Sequence, residues 1–104
     1  MAYRIVYLPD AVADLDKLYL DISLAAGAKT ADDFLEGVIA FIYALEMFPA
    51  RGTVRDSRIP GLRIIGYRRS ISVAFSVRGD DIVILGVFRR GQNISDQILE
   101  GRLV

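Results

Sequence analysis

The sequence predicts an α+β domain in the order β-α-α-β-β-β, a helical hairpin packed on a mostly antiparallel four-stranded sheet. Three observations carry that reading. Residues 62–88 hold three short β-type runs separated by turn signals. Residues 70–77 alternate strictly, with Ile71, Val73, Phe75 and Val77 at one parity and Ser70, Ser72, Ala74 and Ser76 at the other. Upstream of them, residues 10–48 hold two stretches of helical period with a glycine between them.

The first strand is residues 3–8, stopped by Pro9, and Asp10 reads as the N-cap of the helix that follows. Val12, Leu15, Leu18, Tyr19 and Ile22 keep helical spacing until Gly27 closes the helix. Thr30 reads as the cap of a second helix, with Asp32 and Asp33 in the first turn where the helix dipole favours acids. That helix runs to Phe48, just before Pro49. Ala31, Leu35, Val38, Ile42, Leu45 and Phe48 make one face. Ile39, Ala40, Tyr43 and Met47 widen the stripe, so the helix is expected to be covered on both sides.

Residues 49–61 form a loop by their Pro, Gly and polar content. The second strand is 62–67, Arg68-Arg69 connects it to the third, and Arg78-Gly79-Asp80-Asp81 turns into the fourth. The fourth run, 82–88, is apolar at both parities: Ile82, Ile84 and Phe88 against Val83, Leu85 and Val87. A strand apolar on both faces is buried on both. The upstream helices cover one side, so a partner is expected on the other. Residues 94–104 fit a short amphipathic helix capped by Ser95, or a tail. All 104 residues read as one domain.

Parity places Leu62 and Ile64 with Ile71, Val73, Phe75 and Val77 against the helices. It places Arg63 and Tyr67 beside the small Ser72, Ala74 and Ser76, as a shallow arginine-rimmed groove fit for a peptide. With Arg78, Arg89 and Arg90, the residues Arg63, Tyr67, Ser72 and Ser76 are the candidate binding residues.

Charge is divided along the chain. Residues 1–50 carry three basic and eight acidic side chains, a net −5; residues 51–104 carry ten arginines and five acids, a net +5. Guanidinium forks suit carboxylates and phosphates, so the second half suits an anionic partner. The hydrophobic fraction of 53% leaves apolar surface for an interface as well. No run approaches the ~18 uncharged apolar residues of a membrane span, and no signal segment leads the chain. With no cysteine, a cytoplasmic setting is the default.

Catalytic inventory is thin. There is no histidine, no lysine follows Lys29, and Tyr67 is the one tyrosine of the sheet half. General acid–base chemistry needs a proton-transfer pair that this set does not supply. No residue is therefore assigned a catalytic role, and no metal or cofactor is implied.

The opening AYRIVYLPDAVADLDKLY, the helix ending LEMFPARGTVR, and PGLRIIGYRRSISVAFSVRGDDIVIL together resemble the RelE/ParE superfamily of bacterial toxins. The resemblance spans residues 3–93 and is closest to the ParE-like, plasmid-stabilisation branch. It implies the toxin of a type II toxin–antitoxin system, neutralised by a cognate ParD-like antitoxin in a hetero-oligomer. ParE-like members inhibit DNA gyrase by binding, whereas RelE-like members cleave mRNA on the ribosome. A third alternative is a toxin fold that survives as a binding module. Arg63 matches the arginine the family places after PGL. The chain departs from the pattern at Gly86, Arg89 and Gln92-Asn93. Neither a membrane partner nor sequence-specific DNA binding by this chain is implied.

Overall fold

The structure is a computed structural model that describes residues 3–55 and 57–103. Val104, the last residue of the predicted C-terminal segment, lies outside the described residues. Strand β1 (Arg4–Tyr7) leads into helices α1 (Pro9–Ala26) and α2 (Ala28–Tyr43), and a 3₁₀ turn (Ala44–Glu46) extends α2. Strands β2 (Thr53–Val54), β3 (Leu62–Tyr67), β4 (Ile71–Arg78) and β5 (Asp81–Arg89) follow, and helix α3 (Asp96–Arg102) ends the chain. The sheet order is β1-β5-β4-β3-β2, with β1 parallel to β5 and the other pairs antiparallel.

The α+β class and the helical hairpin are as predicted, but the sheet has five strands rather than four. The extra one, β2, lies inside the expected loop and is only two residues long, too short for a period-two pattern. Pro9 occupies the first turn of α1, where its missing N–H costs nothing. Asp10 therefore sits in the first turn rather than at the cap, which is Leu8. Gly27, at φ 95°, serves both helices: its N–H donates to the Ser23 carbonyl at 2.9 Å, and its carbonyl accepts from Ala31 N–H at 3.2 Å. That sharing starts α2 at Ala28, so Thr30 is inside the helix rather than capping it.

The two faces of the sheet are set by two irregularities of one residue each. At the β3–β4 connection, Tyr67 pairs with Ile71 and Arg63 with Phe75. The loop thus holds three residues, Arg68, Arg69 and Ser70, where a two-residue turn would pair Leu62 with Phe75. A one-residue shift moves every side chain of a strand to the other face. The predicted faces of β3 are accordingly reversed. Arg63, Ile65 and Tyr67 share the helix side with Ile71, Val73 and Phe75, while Leu62 and Ile64 lie opposite with Ala74.

The second irregularity is a bulge in β5. Ala74 pairs with Gly86 and Phe75 with Ile84, which leaves Leu85 without a partner of its own. Parity flips there. Ile82, Ile84 and Val87 join the core beneath α1 and α2, and Leu85 and Phe88 join a second core on the opposite face. The predicted burial of β5 on both faces is correct, yet no partner is needed to achieve it. The chain's own α3 supplies Leu99, fully buried, with Ile94 and Leu103 packed around it. Ser95 caps α3 as expected, its Oγ accepting from Ile98 N–H at 3.2 Å.

One ion pair ties the layers together at the bulge. Asp14 of α1 accepts from Val87 N–H at 2.9 Å and pairs with Arg102 of α3 through two contacts of 2.6 and 3.2 Å. Arg102 also donates to the Leu85 carbonyl at 3.0 Å and lies over the Phe88 ring at 4.9 Å. Backbone groups flanking the bulge are thus satisfied by side chains from both layers. Gly86 makes room here, because a Cβ would press on the Arg102 guanidinium and the Phe88 ring and force them to shift. Elsewhere α3 is held by an Arg58–Glu100 ion pair of 2.9 Å.

Among the described residues, nothing supplies the expected cover over the outer side of α2. Ile39, Tyr43, Met47 and Phe48 are all exposed, with Met47 at 75% and Phe48 at 65%. Leu20 and Leu24 of α1 are exposed as well. Among the described residues, no helix is long and apolar enough to cross a membrane.

Candidate functional site

The candidate site is the end of the sheet where the β3–β4 turn meets the end of β5. Arg90 N–H donates to the Ser70 carbonyl at 2.9 Å, which closes the ladder there. Arg89 N–H donates to Gln92 Oε1 at 2.6 Å, and Gln92 N–H returns to the Arg89 carbonyl at 3.0 Å. Gly91, at φ 91°, supplies the positive φ that this second turn needs. Two adjoining loops therefore hold Arg69, Arg89 and Arg90 around one rim.

The β3–β4 turn is strained. Arg68 and Arg69 have φ of 50° and 59°, and Ser70 N–H donates to the Tyr67 carbonyl at 3.1 Å. Positive φ at both central residues is the type I′ signature, normally filled by Asn-Gly. A side chain with a Cβ in that region costs roughly 1 kcal/mol or more. Arg68 recovers part of this by lying 5.3 Å over the Tyr67 ring. Two arginines in consecutive left-handed positions are a departure from local preference, and such departures cluster at functional sites.

Concavities flank the rim on both sides. On the outer face, a concavity of about 400 Å³ is lined by Gly66, Ser70, Ser72 and Gln92 together with Arg69 and Arg90. On the helix face, another of about 400 Å³ is lined by Leu18, Ile22 and Phe34 against the same arginines. A third, of about 670 Å³, shares Gln92 and Ile94 with the first and extends past Ile64 to Val54 and Arg55. The outer concavities thus adjoin as a groove with arginine at either end.

Of the predicted binding residues, Ser72, Arg89 and Arg90 are brought together here. The other four lie elsewhere. Tyr67 packs on the helix side, its ring 6.0 Å from Phe34 and 4.9 Å from Phe41, in space left open by Gly37. Arg63 is on that same side, opposite Phe75. Ser76 is fully buried and donates its hydroxyl proton to the Pro60 carbonyl at 2.8 Å. Arg78 is exposed at the far end of β4. The arginine-rimmed groove exists, but the reversed face of β3 exchanges Arg63 and Tyr67 for Gly66 and Ile64. Arg69, Ser70 and Gln92 were not among the predicted residues. Their sequence signals are the Arg68-Arg69 pair at the β3–β4 connection and, for Gln92, the departure from the family pattern at Gln92-Asn93.

Electrostatically the rim is open. Arg89 pairs with Asp21 at 3.3 Å, an acid that also holds Lys17 at 3.3 Å. Among the described residues, neither Arg69 nor Arg90 has an acidic partner within 4.0 Å. No acid lines the outer concavity. Two tyrosines elsewhere hold their protons more tightly than usual: Tyr7 through burial, and Tyr19 through its hydrogen bond to, and the charge of, Asp32. Both shifts lead away from proton transfer at neutral pH.

The architecture is thus a helical hairpin on a mostly antiparallel five-stranded sheet with an arginine-rich end. The family model described as "ParE toxin of type II toxin-antitoxin system, parDE" matches residues 5–94. The chain belongs to the ParE toxin family of type II toxin–antitoxin systems. It is 27% identical over 95 residues to Toxin ParE3 of Caulobacter vibrioides, spanning 91% of this chain and 94% of that protein. Among solved structures it is similar to a chain of the chromosomal ParDE system from P. aeruginosa. There the TM-score is 0.73 at 27% identity, over 85% of this chain and 96% of that one. The toxin–antitoxin complex RelBE2 from Mycobacterium tuberculosis shares the fold, with a TM-score of 0.65 at 21% identity, over 86% of this chain and 100% of that one.

Proposed function

We propose that this ParE-family toxin acts by binding rather than by catalysis, with DNA gyrase as its target and a cognate ParD-like antitoxin as its inhibitor in the cytoplasm. The observation that carries the reading is the make-up of the sheet end. Its outer concavity combines guanidinium, hydroxyl and amide groups with no carboxylate, lysine or phenol. Arginine stabilises charge but is an ineffective proton carrier, and general acid–base groups each contribute typically ~10²–10⁴ to rate. Tyr67, the one phenol of the sheet half, packs on the opposite side of the sheet among Phe34 and Phe41. A nuclease reading lacks its proton-transfer pair.

An antitoxin has a surface to cover that the chain leaves open. Tyr43 and Met47 follow Ile39 at intervals of four, so an exposed apolar stripe runs off the end of α2. An acidic, amphipathic antitoxin segment would bury this stripe and meet the arginine-rich half. The C. vibrioides relative and the P. aeruginosa complex support this assignment through the family they share with the chain.

Purified toxin should inhibit gyrase supercoiling in proportion to its concentration, and its co-expressed antitoxin should co-purify with it. Cleavage of mRNA on programmed ribosomes, with gyrase unaffected, would overturn the reading. Harmless expression in the absence of antitoxin would overturn it too.

A further inference from the structure

We infer that the concavity on the helix face of the rim docks a protein segment carrying an apolar side chain beside a carboxylate. The side chain enters the well and the carboxylate meets Arg69 and Arg90. The well is the open end of the core beneath α1 and α2. It is lined by Leu18 and Ile71, both buried members of that core, and by the half-buried Ile22 and Phe34 packed against it. An apolar side chain entering here lengthens an existing core, and its burial is worth roughly tenfold or more in affinity. At about 400 Å³ the well has room for such a side chain. A second concavity of about 250 Å³, lined by Thr30, Asp33 and Arg68, adjoins it at Phe34 and gives the neighbouring residues of the segment a path.

The combination of floor and rim selects the occupant. No acid lines the well, and among the described residues neither Arg69 nor Arg90 has an acidic partner within 4.0 Å. The anion already present at this end is a carboxylate: Asp21 holds Arg89, which also lines the well, at 3.3 Å. A second carboxylate on Arg69 or Arg90 would repeat that contact from outside the chain. An apolar centre with a polar, charged rim is the anatomy of a protein–protein contact. A nucleic-acid strand fits the well less closely. Its phosphates need a polar track, and its bases need donors and acceptors along their edges. Three of the lining side chains are aliphatic, and the Ser70 hydroxyl already donates to the Arg68 carbonyl at 3.3 Å. The well is separate from the exposed stripe that begins at Ile39, so it does not depend on what covers that stripe.

Methyl NMR of the full chain tests this by titration with the blocked hexapeptide Gly-Leu-Phe-Asp-Glu-Gly at low salt. The peptide should shift the methyl signals of Leu18, Ile22 and Ile71 saturably. Replacing its two acids by amides, or its Leu-Phe by Ser-Ser, should each weaken binding about fivefold or more. The double variant Arg69→Ala/Arg90→Ala should lose about fivefold or more for the acidic peptide and less than about twofold for the amide peptide, a coupling that damage to the fold would not produce. Ile22→Ala, which pares the apolar lining, should weaken both peptides alike. Arg78→Ala, an exposed change at the other end of the sheet, should cost either peptide less than about twofold and fixes the baseline for net charge. No saturable binding, shifts confined to the outer face, or equal losses of the two peptides in the double variant would overturn the inference. So would 3-phenylpropionate or a single-stranded oligonucleotide binding as tightly as the peptide, the first assigning the well to small carboxylates and the second to nucleic acid. Gyrase inhibition and antitoxin co-purification are read separately, so this inference can fail while the proposed function stands.

Discussion

Arg102 and the Arg69–Arg89–Arg90 rim show one residue type put to opposite uses. The Arg102 side chain is 16% exposed and spends its donors on Asp14 and the Leu85 carbonyl. Arg69 and Arg90 are exposed, and only Arg89 of the three is tied to an acid, Asp21. Buried guanidinium, once paired in a bidentate contact, becomes a structural bolt whose removal leaves Asp14 without its cation. Exposed guanidinium contributes little to folding, because water screens its interactions. Position relative to solvent, rather than residue type, decides which arginines are available for a partner.

The sharpest way to break this comparison is at the bolt. Arg102→Ala should cost about 3 kcal/mol in chemical denaturation, since it strands Asp14 beside the bulge. Gly86→Ala should cost about 1–3 kcal/mol by overpacking against Arg102 and Phe88. Because the two share space, their costs should not add: the double variant should be more stable than the sum of the single losses implies. Additivity within about 0.5 kcal/mol would show that Arg102 does not fill the space over Gly86.

A smaller effect of opposite sign is expected at the rim. Replacing Arg68 by Asn and Arg69 by Gly should stabilise the fold by about 1 kcal/mol, read as a raised denaturation midpoint, by relieving two left-handed side chains. The same pair of changes should weaken growth inhibition. Stabilisation without loss of toxicity would separate the turn from function. Arg90→Ala should change stability by no more than about 0.5 kcal/mol, because its side chain is exposed and unpaired among the described residues.

The smallest effect concerns pH. The folded-state pKa values of Tyr7 and Tyr19 are raised above 10.0, so the folded chain holds those phenolic protons more tightly than the unfolded chain does. Their contribution is complete below pH 10 and is lost as pH rises through the folded-state values. Unfolding free energy should therefore decline above about pH 10, and Tyr7→Phe should flatten part of the decline. An unchanged decline in Tyr7→Phe would show that burial of this phenol plays no part.

Local chemistry was legible in the sequence wherever one segment contained its own reason. The order of the two helices and the four longer strands, the alternation of residues 70–77, Gly27 between the helices and the Ser95 cap read directly, because each depends on neighbours within about four residues. Burial of β5 on both faces was readable too, since apolar residues at both parities permit nothing else in water. What covers the outer face was not, because the cover is α3, which follows in sequence but packs by tertiary contact. Tertiary structure also decided the phase between strands. Alternation places residues on faces within one strand, but a third loop residue at Ser70 and a bulge at Leu85 each change which faces coincide. The first shift put Tyr67 under the helices and left Ser72 in the groove with Arg69 and Arg90, and the second sent Leu85 and Phe88 to the outer core. Gly86 shows the same limit in part, for one of the two side chains that press on it, Arg102, arrives sixteen residues later and from another layer of the fold.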